Sequence, residues 1–215
     1  MKKIFLILLL FSSLSFSENS ISLYKDESLK EAALDQLFKA IKTKNNIYAQ
    51  ALLSPKKQIK KNSYNVINDA EEKRTIIDVN WKNRKGYDPV TVAVIYNNLD
   101  MLKLLLKRGA NLNTYSVFNR TILVLAIEYG STKVAEYLID NYKFLVNTAC
   151  LDDGWTALQE AVLKENRKIV LKLLKNGAKI RQKDKNGYDV YDLATRHGKG
   201  VMVKMIRDYE LGILK

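Results

Sequence analysis

The chain has 215 residues, 47% of them hydrophobic, with only two prolines and nine glycines, which excludes a disordered or low-complexity polymer and allows one packed body. Its formal charge of +13 suits an acidic partner, an anionic surface or nucleic acid, or else reflects a lysine-rich composition with no specific target. A single cysteine, Cys150, excludes an intramolecular disulfide, and with the single histidine, His197, it leaves too few ligands for a zinc site.

Met1–Ser17 reads MKKIFLILLLFSSLSFS: two lysines, an apolar core from Ile4 to Phe11, and Ser15 and Ser17 at small-x-small spacing before Glu18. These are the three parts of a secretory signal peptide. The apolar run falls short of the roughly 20 residues needed to span a bilayer, so cleavage is expected rather than anchoring. Removal takes Lys2 and Lys3 with it and lowers the charge from +13 to +11. The leader is bacterial in style, so the expected location is periplasmic or secreted, which argues against cytosolic nucleic acid as a target.

Residues 18–27 are polar and read as a flexible lead-in. Over residues 28–53, Leu37 and Ala40 precede Leu52-Leu53, an alanine followed 12 and 13 residues later by an apolar pair. This reads as an N-terminal capping helix pair. Ser54-Pro55 then stops the helix and opens an insert, residues 54–78, with Lys56, Lys57, Lys60 and Lys61 followed by Asp69, Glu71 and Glu72. A loop of that length is either functional or a tolerated solvated excursion.

From residue 79 onward the chain repeats. Ala93, Ala126, Ala161 and Ala194 are separated by 33, 35 and 33 residues. Seven residues before each stands Gly86, Asn119, Gly154 or Gly187, residue types that tolerate a left-handed turn. Twelve and thirteen after come Leu105-Leu106, Leu138-Ile139, Leu173-Leu174 and Ile206-Arg207. One period thus holds a turn, a short helix carrying the small alanine, and a second helix ending in an apolar pair. Such a unit cannot bury its apolar face alone and must stack. The separation of 35 places two extra residues between copies two and three, within 141–153. Arg207 in place of a second apolar residue marks copy four as the C-terminal cap.

The copies read Asp88-Pro89-Val90-Thr91-Val92-Ala93, Thr121-Ile122-Leu123-Val124-Leu125-Ala126, Thr156-Ala157-Leu158-Gln159-Glu160-Ala161 and Asp189-Val190-Tyr191-Asp192-Leu193-Ala194. In period and motif this resembles the ankyrin repeat, Thr-Pro-Leu-His-x-Ala every 33 residues. No copy keeps the histidine, so its side-chain hydrogen bond is lost or replaced. The resemblance implies an all-α solenoid of stacked helix-turn-helix units with β-turn fingers, in four repeats over 79–215. It also implies a protein-binding module whose partner meets the finger tips and the inner face of each first helix. On this chain those positions include Arg84, Tyr87, Tyr96, Tyr115, Phe118, Tyr129, Trp155, Lys185 and Tyr188. Aromatic and arginine residues are the usual anchors of interfaces, and the surrounding positive charge suits an acidic patch on the partner. Tyr87, Trp155 and Tyr188 share one motif position, so a shared packing role competes with contact.

No catalytic constellation is expected. His197 and Cys150 lie in different repeats, Asp152-Asp153 falls on a finger turn without a companion base, and no phosphate-binding glycine loop occurs. Neither enzyme activity, nor a metal, nor a cofactor is therefore anticipated, and the chain is expected to be a monomer. The alternative reading is a basic surface-associating protein that uses Lys56–Lys61 on anionic lipid or lipopolysaccharide, an adsorption that high salt would abolish.

Overall fold

The structure is a computed structural model that describes residues 18–54, 77–112, 115–116 and 118–214. The leader and the lysines of the insert lie outside the described residues.

The described residues form ten α-helices arranged as five antiparallel pairs: α1 (Glu18–Lys42) with α2 (Asn46–Leu53), α3 (Pro89–Ile95) with α4 (Leu99–Lys107), α5 (Ile122–Glu128) with α6 (Thr132–Asn141), α7 (Ala157–Leu163) with α8 (Arg167–Lys175), and α9 (Val190–Arg196) with α10 (Gly200–Glu210). The first helices stack as an inner row, α1 on α3 on α5 on α7 on α9, and the second helices form an outer row. Among the described residues the strand content is one antiparallel bridge, Tyr115 to Thr121, at the base of a finger. The architecture is the expected all-α solenoid.

Each inner helix of the four repeats is only about two turns long, too short to be stable alone, so its ends are fixed by side chains. Asp88, Thr121, Thr156 and Asp189, all at the motif's first position, each accept the backbone N–H three residues on. The motif alanines are fully buried, and the carbonyls of Ala40, Ala93, Ala126, Ala161 and Ala194 accept N–H bonds of 2.9, 2.8, 2.8, 3.0 and 2.7 Å from the turn after each inner helix. The residue before each donor, Lys44, Asn97, Gly130, Glu165 or Gly198, has positive φ. Residues 28–53 therefore carry the same helix-hairpin turn as the four repeats, although they lack the glycine finger. The lead-in expected over 18–27 is instead the start of α1, because no proline or glycine interrupts the chain before Lys42.

The extra length between copies two and three forms a 3₁₀ turn, Lys143–Val146, after α6. Its Leu145 and Val146 tuck into the core, while Phe144 stands half exposed. The missing histidine is replaced in copy three by Gln159, whose amide donates to Tyr188 O at 3.1 Å and Gln182 O at 3.4 Å in the next repeat. Elsewhere other side chains hold neighbouring repeats: Ser131 Oγ donates to Val94 O at 2.6 Å and Asn98 Nδ2 to Ile41 O at 3.0 Å. At the C-terminal end Ile206 is buried and Arg207 exposed. Tyr191 there donates to Glu210 at 2.7 Å, and its phenol is pushed up to about 12 by burial and by that carboxylate.

Candidate partner-binding face

The inner helices and the fingers line one concave side. In its N-terminal half an open groove of about 870 Å³ lies between α1, the finger at 83–87 and α3, and reaches Tyr129 at the end of α5. Its floor is Phe38, Val92, Ile95 and Tyr96, and Lys39, Lys42, Arg84 and Lys85 bring positive charge to its walls, against Glu31 and Asp35. Glu31 is already engaged, because its Oε1 accepts the Arg84 backbone N–H at 2.6 Å. Tyr96, Phe118 and Tyr129 remain 41, 41 and 45% exposed. Tyr87, half buried, meets Phe118 edge-on at 5.9 Å and 78°. The Lys42 ammonium stands 5.6 Å from the Tyr96 ring. Partial burial, then the charge of Glu128 and the nearby Tyr87, raises the Tyr129 phenol above its ordinary value.

In the C-terminal half the rings expected as anchors are already covered. Arg120 lies 5.6 Å over Trp155 and pairs with Asp153. Arg196 lies 4.5 Å over Tyr188. The Tyr115 hydroxyl donates to Ala149 O at 3.3 Å. The Lys185 ammonium donates to Leu151 O, and its backbone N–H to Asp153 O at 2.9 Å. Asp152 accepts from Asn119 Nδ2 at 2.9 Å, so Asp152 and Asp153 are bolts between fingers rather than a solvated turn. Of the nine residues expected at the interface, the structure thus gathers Arg84, Tyr87, Tyr96 and Tyr129 around one groove, with Phe118 against Tyr87 at its edge. It ties Tyr115, Trp155 and Lys185 into contacts between neighbouring repeats and covers Tyr188 with Arg196 of its own repeat.

The α1 wall, with Phe38, Lys39, Lys42 and Thr43, was not among the expected positions. The signal was present: two and three residues after Ala93 stand Ile95 and Tyr96, and the same offsets from Ala40 give Lys42 and Thr43. Cys150 is 3% exposed, and burial raises its thiol, so it packs as a small apolar residue. His197 is exposed in the turn after α9.

The sequence model for "Ankyrin repeats (3 copies)" matches residues 32–147 and 116–184. The chain is 30% identical to the mitochondrial disaggregase of Bos taurus over 135 residues, 62% of this chain and 19% of that one. It is 32% identical over 76 residues to a putative ankyrin repeat protein of Rickettsia bellii, 35% of this chain and 45% of that one. It is 36% identical over 67 residues to alpha-latrotoxin-Lt1a of Latrodectus tredecimguttatus, 31% of this chain and 5% of that toxin. The chain spans less than half the length of each of these curated relatives, so the similarity is one of repeats and not of whole proteins. Ankyrin repeats are a general protein-interaction module whose stacking builds an extended concave surface. With the family match running from inside α1 into the fourth finger, the chain belongs to the ankyrin-repeat family.

Proposed function

We propose that this chain is an exported, non-catalytic binding module that captures a partner protein on its concave face, in the groove between α1, α3 and α5. The observation that carries the reading is the pair of rings, Tyr96 and Tyr129, that line an open groove while more than two-fifths exposed, with the equally exposed Phe118 against Tyr87 at its edge. Tyr96 and Tyr129 cap the ends of short, packed helices, so their rings lose little further entropy on binding, which suits them as anchors. The basic walls favour an acidic contact patch on the partner and faster encounter. Export rests on the leader-like Met1–Ser17 and is checked by fractionating the host cell.

A photo-crosslinking residue at position 96 would identify the partner, whose affinity is then measured by calorimetry. Tyr96→Ala with Tyr129→Ala is expected to weaken binding at least tenfold. Phe144→Ala, an equally exposed ring outside the groove, should change it less than twofold. The opposite ranking would sink the concave-face reading. Adsorption to anionic vesicles that ignores both tyrosines and vanishes at high salt would favour a charge-driven surface binder instead.

A further inference from the structure

One residue breaks the register of the inner row. The position before each motif alanine is Val92, Leu125, Glu160 or Leu193, and all four are at most 4% exposed. Three are apolar, as a site wedged between inner helices requires, and the third repeat places a carboxylate there. Among the described residues, no hydrogen bond reaches the carboxylate of Glu160. It has one ion pair, to the ammonium of Lys164 at 3.8 Å, and that lysine is half exposed. A buried carboxylate without donors is costly, and burial raises its affinity for a proton.

The surroundings do not discharge it. Glu128, on the facing helix α5, has a buried Oε2 that receives no hydrogen bond and lies 3.7 Å from Arg120 Nε. Arg120 is drawn away to Asp153 and to the Trp155 ring. Three acids, Glu128, Asp153 and Glu160, thus share two cations, Arg120 and Lys164, and the carboxylate with the weakest pairing lies deepest.

We propose that the concave seam between α5 and α7 is a receptor for a basic side chain, an arginine or lysine of the bound partner, which displaces Lys164 from Glu160 and shares its donors with Glu128. The inference rests on the concave-face reading above and adds the partner's charge pattern. Acidic groups would meet the basic walls at α3, and a basic group would meet the seam near α7. Stacked helices lie about 10 Å apart, so the two subsites are about 20 Å apart, the reach of about six extended residues.

The full 215-residue chain, labelled with ¹⁵N, would be titrated with Nα-acetyl-arginine amide and with its neutral isostere Nα-acetyl-citrulline amide. The arginine compound should give saturable shifts at the amides of Glu128, Glu160 and Lys164, with citrulline binding at least tenfold more weakly. Glu160→Gln should abolish the arginine response, and Lys164→Ala, which removes the resident cation, should tighten it severalfold without needing the first variant to fold. Tyr96→Ala, at the far side of the groove, should leave it unchanged. Equal shifts with citrulline, shifts spread evenly over surface carboxylates, or a Lys164→Ala variant that binds no better would overturn the proposal. Were the arginine site absent while capture still depended on Tyr96 and Tyr129, only this inference would fall.

Discussion

The two halves of the concave face are built from the same motif and used differently. Tyr87, Trp155 and Tyr188 occupy one motif position, yet Trp155 lies under Arg120 and Tyr188 under Arg196, while Tyr87 is met by another ring at the edge of an open groove. Arg120 of the preceding finger covers Trp155, Arg196 at the end of α9 covers Tyr188, and finger side chains cross-link the backbone of neighbouring repeats. Around α1, α3 and α5 three rings and several lysines stay open to solvent. A shared register position therefore fixes where a ring stands but not what it does. That depends on whether an arginine, of the preceding finger or of the repeat's own first helix, is placed to cover it.

In the closed half two fingers approach closely at Gly154. With φ +75°, it sits where a Cβ would come 2.9 Å from the Lys185 backbone nitrogen and 3.4 Å from Asp184 C. Gly187, at the same motif position with φ +83°, has no such neighbour within 4 Å. Gly154→Ala is expected to cost about 3 kcal/mol, combining left-handed strain with a backbone clash, and Gly187→Ala only about 1 kcal/mol. Urea titration checks the difference. Because neighbouring units carry the stability of a stack, Gly154→Ala should also speed hydrogen exchange in α9 and α10 before the rest of the chain. Equal losses for the two glycines would remove the distinction between a locked and an unlocked finger.

Next in size is Arg120. Its side chain is 21% exposed, serves Asp153 and lies near Glu128, and also covers Trp155. Arg120→Ala would leave partly buried acids without their cation and is expected to cost about 2 kcal/mol by chemical denaturation. Lys42→Ala, which removes an exposed ammonium from Tyr96, should cost under about 0.5 kcal/mol. The same pair tests use. Uncovering Trp155 perturbs stability, whereas uncovering Tyr96 leaves stability alone and alters only binding.

What the sequence could reveal follows from the same contrast. Alanines spaced 33, 35 and 33 residues apart carry the stack, because the helix pair closes only around a small residue. The N-terminal helix pair was readable from Ala40 and Leu52-Leu53, and the extra length before copy three from the spacing of 35. Three features were not legible. The coverage of Trp155 and Tyr188 depends on which way arginines at other positions turn. The bolts from Asp152 and Asp153 cross to a partner 33 residues away, as Asn119–Asp152 shows. The groove needs α1 as a second wall, and that helix carries no finger motif to mark it. Glu160 was legible and overlooked: set beside Val92, Leu125 and Leu193, it is a charge in an apolar column.

That charge gives the sharpest of the effects, because its sign is unusual. A buried carboxylate with one long ion pair costs stability, so Glu160→Gln should stabilise the chain at pH 7, by about 1 kcal/mol. Burial raises the carboxyl's pKa in the folded state above its ordinary 4.5. Between 4.5 and that raised value the folded chain binds the proton that the unfolded chain does not, so wild-type stability rises relative to the variant as pH falls. The advantage of the variant is therefore complete above the raised value and gone below about 4.5. Melting curves of both proteins from pH 4 to pH 8 would trace this convergence. Parallel curves would mean that Lys164 fully compensates the charge, and the closed half would then be closed throughout. Converging curves would mean that it keeps one weakly paired acid at its concave seam, held at a cost to folding.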